Sequence, residues 1–162
     1  MENLRQGAPA ELWQALVHEA GERAGCVLDE YRESYLVFVL LRHQGDAHLL
    51  ARMQALEWLH AQSLSGQLRH DSLRDVGDRC LLIAGLYPAL AERRHVTVDY
   101  FMDIGRGAYL GIAEAGRTAY AAMFAQLAMS YGELVRTLRA VRPIETALRP
   151  GLAQLVAAPG RH

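Results

Sequence analysis

A helix that becomes apolar on every side, with one aspartate at the transition, is the feature that most constrains this chain. One apolar arc repeats at helical spacing and comprises Leu73, Val76, Cys80, Ile83, Ala84 and Tyr87. The far side becomes apolar beyond Arg79, through Leu81, Leu82 and Leu86. Because a helix that is apolar all round is normally buried, Asp78 should lie where this helix enters the core. We therefore expect Asp78 to be buried and satisfied by arginine or backbone donors.

The following segment predicts a second core helix. Tyr87-Pro88 should end the first one, since the residue before a proline avoids the α region, and Thr97 is a suitable N-cap for the next. Glycine inside a helix costs roughly 0.5–1 kcal/mol relative to alanine, so Gly105 on the apolar face indicates close approach of another helix. Gly107 and Gly111 lie on a different side, where a neighbouring helix or a ligand could approach, and packing is the favoured interpretation.

These two helices carry a resemblance. The pattern runs from Arg74-Asp75-x-Gly77-Asp78 through Ala84-Gly85-Leu86-Tyr87-Pro88 and Val98-Asp99-Tyr100-Phe101 to Gly105-x-x-Ala108-Tyr109. It resembles a family of uncharacterised bacterial all-helical proteins, over residues 74–109. The resemblance implies a bacterial, cytoplasmic protein and brings no activity with it.

The rest of the chain predicts helices as well. We expect helices from about Pro9 to Ala24, from Cys26 to His43, from Ala47 to Gln62 and from Thr118 to Ala140, with a short one after Pro143. Their inward positions should include Val27, Leu28, Tyr31, Tyr35, Phe38 and Val39; Leu49, Leu50, Met53 and Leu56; and Tyr120, Phe124, Leu127, Tyr131, Leu134 and Leu138. The fold class is all-α, a bundle of six or seven helices.

Composition fits one domain over residues 1–162, with flexible tails at 1–8 and 157–162. A hydrophobic content of 51% is slightly high for a monomer and compatible with a buried homodimer surface. The net charge of −1 argues against nucleic-acid or acidic-membrane partners, and a basic recognition helix of a helix-turn-helix protein is missing. Two cysteines, a polar start and short apolar runs favour the cytoplasm.

The third helix carries a candidate metal site. Glu57 and His60 have the E-x-x-H spacing that di-metal carboxylate bundles use twice, and both fall near the middle of an apolar arc. The sequence has one such motif, so the complete ligand set is missing; a single metal would need a further carboxylate, such as Asp78, Glu30 or Glu33. The favoured interpretation is a Glu57–His60 pair at the edge of the core, or a small error in the helix's rotation, with no metal and no cofactor.

Other polar residues are candidates for a functional site. Asp75, Asp78, Asp99, Asp103 and Arg106 cluster in sequence, and Asp99 and Asp103 are like charges one helical turn apart. Such residues form acid–base pairs in some enzymes, and more often a solvated helix face. His18 lies off the apolar stripe of the first helix, which indicates a surface histidine rather than a haem ligand.

Two functions follow from these patterns. The first is a non-catalytic helical protein that acts through protein–protein interaction, with a homodimer that buries part of the Thr118–Ala140 helix or its neighbour. The alternative is a metal- or cofactor-dependent helical-bundle enzyme that uses Glu57, His60 and Asp78.

Overall fold

The computed structural model describes residues 2–43, 54–93, 96–116 and 118–141, and every regular element in these ranges is an α-helix. In chain order they are α1 (Glu2–Ala24), α2 (Glu30–His43), α3 (Gln54–Gln62), α4 (Gly66–Leu86), α5 (Pro88–Arg93), α6 (Val98–Glu114), α7 (Ala119–Met129) and α8 (Tyr131–Arg139). Only Ser130 separates α7 from α8, so the single helix that the sequence predicts from Thr118 to Ala140 is divided into two shorter helices at this residue. The all-α bundle is confirmed.

The central helix is α4. It packs against α3, α6 and α8, while α2 packs chiefly against α1 and only narrowly against α4. The second half of α4 is buried on all sides, as expected: Leu81, Leu82, Ile83 and Ala84 are at most 1% exposed. The apolar pattern of this segment therefore fixes its place in the core. In the described residues no helix is both long and apolar enough to cross a membrane.

Close packing explains the glycines of α6. The Thr97 side chain caps this helix by accepting a hydrogen bond from the Tyr100 amide at 3.2 Å, as the sequence predicts. A Cβ added at Gly105 would collide with the Tyr131 hydroxyl and with the Cβ of Cys80. Close approach at Gly105 is therefore confirmed, by α8 and α4 together.

The link between α1 and α2 differs from the prediction. Gly25 has φ +69°, and the Cys26 amide donates to the Gly21 carbonyl at 2.9 Å, so α1 ends in a left-handed turn. The expected start of α2 at Cys26 is wrong. Asp29 is the cap instead: its Oδ1 accepts from the Arg32 amide at 2.9 Å, and the helix begins at Glu30.

Several positions expected to face inward lie on the surface. Val27 precedes α2 and is 94% exposed. Tyr31 is 57% exposed and Phe38 46%, because the buried face of α2 includes the expected Tyr35 and Val39 but is completed by other residues, Leu36, Val37, Leu40 and His43. The exposed fraction is also large at Leu56 on α3 and at Tyr120 on α7. At both positions the helix has its neighbours on another side, and the expected orientation is corrected.

Other differences concern the helix ends. α1 starts at Glu2 and continues across Pro9, so residues 2–8, expected as a tail, belong to a helix. A short helix begins directly at Pro88, because proline suits a first helical turn. Leu49, Leu50, Met53, the helix expected after Pro143 and the tail at 157–162 lie outside the described residues.

Candidate functional site

The most unusual group in the core is the carboxyl of Asp78, which has no solvent exposure. Its Oδ1 accepts two hydrogen bonds, from the Tyr35 hydroxyl at 2.5 Å and from the Tyr109 hydroxyl at 2.7 Å. Burial of Asp78 is confirmed, but the expected arginine or backbone donors are wrong, since tyrosines on α2 and α6 supply the bonds. These helices converge on α4 at the position where its polar face ends.

His43 on α2 completes the surroundings of the carboxyl. The distance between His43 Nε2 and Asp78 Oδ2 is 3.9 Å, and both side chains are at least 95% buried. Within the described residues Oδ2 has no hydrogen-bond partner. We call Asp78, Tyr35, Tyr109 and His43 the Asp78 cluster.

A further tyrosine extends this polar centre. The Tyr131 hydroxyl on α8 donates to the Gly77 carbonyl of α4 at 2.9 Å, and its ring lies 5.5 Å from that of Tyr109. A side chain at Gly77 would collide with the Tyr109 ring. Small residues on α4 and α6 thus allow large phenols to approach the backbone, which satisfies their hydroxyls inside the core.

Burial, followed by the charge of Asp78, raises the pKa of Tyr35 and of Tyr109 well above 10.0. Burial also raises the pKa of Tyr131, with Cys80 as the next contributor. These hydroxyls stay protonated over the physiological range and act as donors. The Asp78 cluster is suited to holding α2, α4 and α6 together through hydrogen bonds, and it lies away from solvent.

The other predicted carboxylates do not join this cluster. Asp75 pairs with Arg42 at 2.6 Å, which ties α4 to α2 a second time. On α6, Asp99 is exposed, and Asp103 pairs at 3.3 Å with Arg106 at the surface. Arg106 also lies 5.9 Å from the centre of the Tyr131 ring. The candidate residues that lie close together in sequence are therefore separated in the structure: Asp78 is buried, and the others lie in separate pairs or at the surface.

Glu57 and His60 are not at the centre of an apolar face. His60 is exposed and Glu57 partly exposed, because α3 turns Ala61 and Trp58 toward the core. The small error in helix rotation that the sequence left open accounts for the difference. Among the described residues, no group of three or more histidine, cysteine or carboxylate side chains is arranged to hold a metal ion, so Asp78 does not approach Glu57 and His60 as a third ligand.

Sequence reasoning missed the roles of Tyr35, Tyr109 and His43. The helical periods place both tyrosines on apolar faces, where the phenol ring fits, and they do not indicate a partner for the hydroxyl. The sequence did contain a signal for these hydrogen bonds. A buried tyrosine hydroxyl normally needs a hydrogen-bond partner, and Asp78 was the carboxylate expected to be buried.

The ring of Tyr35 connects the Asp78 cluster to the surface. It lines a cavity of about 670 Å³, which we call the α2 groove, together with Asp29, Glu30, Tyr31, Ser34 and Met123. Tyr31 and Phe38 are exposed on the same helix. The α2 groove is an apolar surface feature flanked by two carboxylates at one end.

Comparison with known proteins adds no assignment: no protein-family model, no curated protein and no solved structure matches the chain. No match supports the resemblance over residues 74–109, so we infer function from the geometry of the described residues.

Proposed function

We propose that the protein acts without catalysis, by binding a second copy of itself through the α2 groove. The observation that carries this proposal is the apolar groove between α2 and Met123 of α7, with aromatic side chains exposed beside it. Large aromatic residues at a surface favour protein interfaces, because they bury much area at a small cost in side-chain entropy.

The aromatic residues of α2 form one face. Tyr31 and Phe38 are seven residues apart, two helical turns, and Ser34 lies between them. Behind them, the Tyr35 ring lies 6.1 Å from Phe38 and 5.8 Å from Phe124. The exposed face therefore continues into the packed core, which gives it rigid support for docking.

Charge favours a second copy as the occupant. The first turn of α2 carries Glu30 and its last turn carries Arg42. In a two-fold dimer whose axis is perpendicular to α2, the two copies of the helix pack antiparallel. Glu30 of each copy would then approach the end of the other helix that carries Arg42, in addition to the Asp75 that pairs with Arg42 within its own chain. The net charge of −1 imposes little repulsion between two chains.

The test is the mass in solution, measured by light scattering. We expect twice the chain mass of 18.0 kDa for the native protein, and a monomer for Phe38→Glu and for Tyr31→Glu. Leu68→Glu is the matched control, since Leu68 on α4 is 69% exposed and does not line the groove. It should leave the dimer intact.

A native monomer at micromolar concentration would reject the proposal. So would a dimer that persists in both α2 variants or one that Leu68→Glu disrupts equally. Circular dichroism of each variant establishes that the monomers keep their helices.

A further inference from the structure

A second cavity lies where the start of α4, the end of α6 and the start of α7 meet. Its volume is about 420 Å³, within the range of small-molecule sites. Arg69 and His70 are among the residues that line it, and no described lining residue is acidic. We call this cavity the Arg69 cleft. It is separate from the α2 groove and shares no described lining residue with it.

Arg69 brings a positive charge to the cleft. Its Nη1 donates to the Gly111 carbonyl at 3.1 Å, and its Nη2 donates to Oε1 of Gln62 at 3.3 Å. Both acceptors are neutral, so no carboxylate of the described residues balances the charge of this partly buried guanidinium. The two hydrogen bonds hold the group in place and leave further N–H donors for a ligand.

The carboxylate nearest in sequence is already engaged elsewhere. Asp71 accepts from Nε2 of Gln67 at 2.8 Å and lies 3.8 Å from Nη2 of Arg74. It also lies 3.5 Å from Nδ1 of His70. Asp71 is therefore not available to balance the charge of Arg69.

The other walls of the cleft are apolar or aromatic. The Tyr120 ring packs against His70, with 4.9 Å between ring centres, and Ile112 and Ala121 also line the cleft. Thr118 caps α7 at the rim, so the positive end of that helix dipole adds to the charge of Arg69. The combination fits a molecule with one anionic group and a small apolar body.

We propose that the Arg69 cleft binds a small organic anion, in which a carboxylate or phosphate group pairs with Arg69 and the apolar part packs beside Tyr120. Arginine suits both groups, because its planar N–H donors match two oxygens at once. The site is independent of the proposed dimer.

The test is titration of the full chain with three probes of similar size, followed by calorimetry and by amide shifts in NMR spectra. Phenyl phosphate and benzoate carry the charge, and benzyl alcohol is the neutral analogue. We expect saturable binding of at least one anion, with shifts at Gly66, Gly116 and Thr118, and none of benzyl alcohol. The anion that binds with the higher affinity identifies the preferred anionic group, phosphate or carboxylate.

Variants locate the site. Arg69→Gln should weaken the binding by roughly tenfold or more, as expected for loss of a charge-assisted hydrogen bond. Arg136→Gln, on an exposed position of α8, removes the same charge elsewhere and should have no effect. Ala115→Phe fills the cleft from its exposed rim, keeps Arg69, and should also abolish binding.

Failure of both anions to bind the native chain would overturn the proposal, as would equal binding of benzyl alcohol or unchanged affinity in Arg69→Gln. Should Arg69→Gln fail to fold, the Ala115→Phe result decides: unchanged affinity there rejects the site. The Phe38→Glu variant separates the two proposals, since it should become monomeric and bind the anion with unchanged affinity.

Discussion

The hydroxyl of Tyr35 on α2 donates to Oδ1 of Asp78 on α4 across 2.5 Å, inside a core where that carboxyl has no exposure. α2 has a narrow contact with α4, so this bond and the Arg42–Asp75 pair are the polar links that hold the helix against the centre of the bundle. The shape of the α2 groove, which Tyr35 lines, depends on how α2 is held against α4. The stability of the Asp78 cluster and the shape of the α2 groove are therefore connected.

Removal of the Asp78 carboxyl should destabilise the fold. In Asp78→Ala the hydroxyls of Tyr35 and Tyr109 lose their acceptor inside the core, and a buried unsatisfied group costs roughly 1–3 kcal/mol. Urea unfolding followed by circular dichroism measures the change in the free energy of unfolding.

The matched variant is Asp78→Asn, whose side-chain oxygen still accepts from both hydroxyls. We expect a smaller loss than in Asp78→Ala. An unchanged midpoint in Asp78→Ala would show that the cluster contributes nothing to folding, and equal losses in the two variants would assign the effect to charge rather than to hydrogen bonding.

Gly105 should tolerate no side chain. A Cβ at this position meets the Tyr131 hydroxyl and the Cβ of Cys80, which belong to two packed helices. Overpacking of this kind costs typically about 1–3 kcal/mol, so Gly105→Ala should lower the free energy of unfolding by that amount. Loss of the Tyr131–Gly77 hydrogen bond should accompany it.

Gly107, two residues further along α6, provides the control. The nearest atom to a Cβ there is Nε1 of Trp58 at 3.9 Å, an ordinary contact. Gly107→Ala should therefore stabilise the helix, by roughly 0.5–1 kcal/mol. Comparable destabilisation by both substitutions would mean that close packing at Gly105 is not the cause.

What the sequence predicted well was the part of the fold encoded by local patterns. The apolar pattern in the second half of α4 predicted that this segment is buried. Gly105 predicted the close approach of another helix, and Thr97 predicted the start of α6. Each depends on the period of a helix or on the chemistry of a cap, which neighbouring residues determine.

Features that depend on contacts between residues far apart in the sequence were harder to predict. Asp78 has arginines within a helical turn, yet Tyr35 and Tyr109, 43 and 31 residues away, satisfy it. Spacing within one helix does not reveal which other helix arrives at that point. The same limit applies to α3, where a modest rotation exposes His60 and turns Trp58 toward the core.

The start of α2 was missed for a local reason. Gly25 and Asp29 together form the helix-ending turn and the next cap, but the apolar residues between them suggested that the helix already ran there. Including Val27 in the helical period extended the expected inward face to Tyr31, four residues further on, and both side chains are exposed.

His18 should titrate above its ordinary pKa of 6.5, because hydrogen bonding and the charge of Glu33, then the charge of Glu22, favour its protonated form. Nδ1 of His18 lies 3.0 Å from Glu33 on α2, and Nε2 lies 3.1 Å from Glu22. Its contribution to stability is fully present below pH 6.5 and is lost as the pH rises through the folded-state pKa.

NMR titration of the His18 ring measures this pKa directly. Glu33→Gln should lower it toward 6.5, whereas Glu19→Gln, an exposed carboxylate on α1 that lies 4.0 Å from Arg23, should leave it unchanged. A His18 pKa at or below 6.5 in the native protein would contradict the observed pairing.

The protein should lose stability steeply in alkaline solution, because burial raises the pKa of Tyr35, Tyr109 and Tyr131 well above 10.0 in the folded state. A raised pKa means that the folded chain keeps protons that the unfolded chain releases near pH 10. The stabilisation is therefore complete below pH 10 and declines as the pH rises from there toward the folded-state values. Each such tyrosine therefore lowers the free energy of unfolding as the pH rises through that interval.

Urea unfolding at a series of pH values from neutral to alkaline measures this slope. Tyr131→Phe should be less stable at neutral pH, since the Gly77 carbonyl loses its donor, and its stability should decline less steeply above pH 10. Phe124→Leu provides the control, because it disturbs the same aromatic core without removing an ionisable group. It should be destabilised at every pH and keep the native slope; a shallower slope there, or a native slope in Tyr131→Phe, would show that these buried hydroxyls do not govern the alkaline transition.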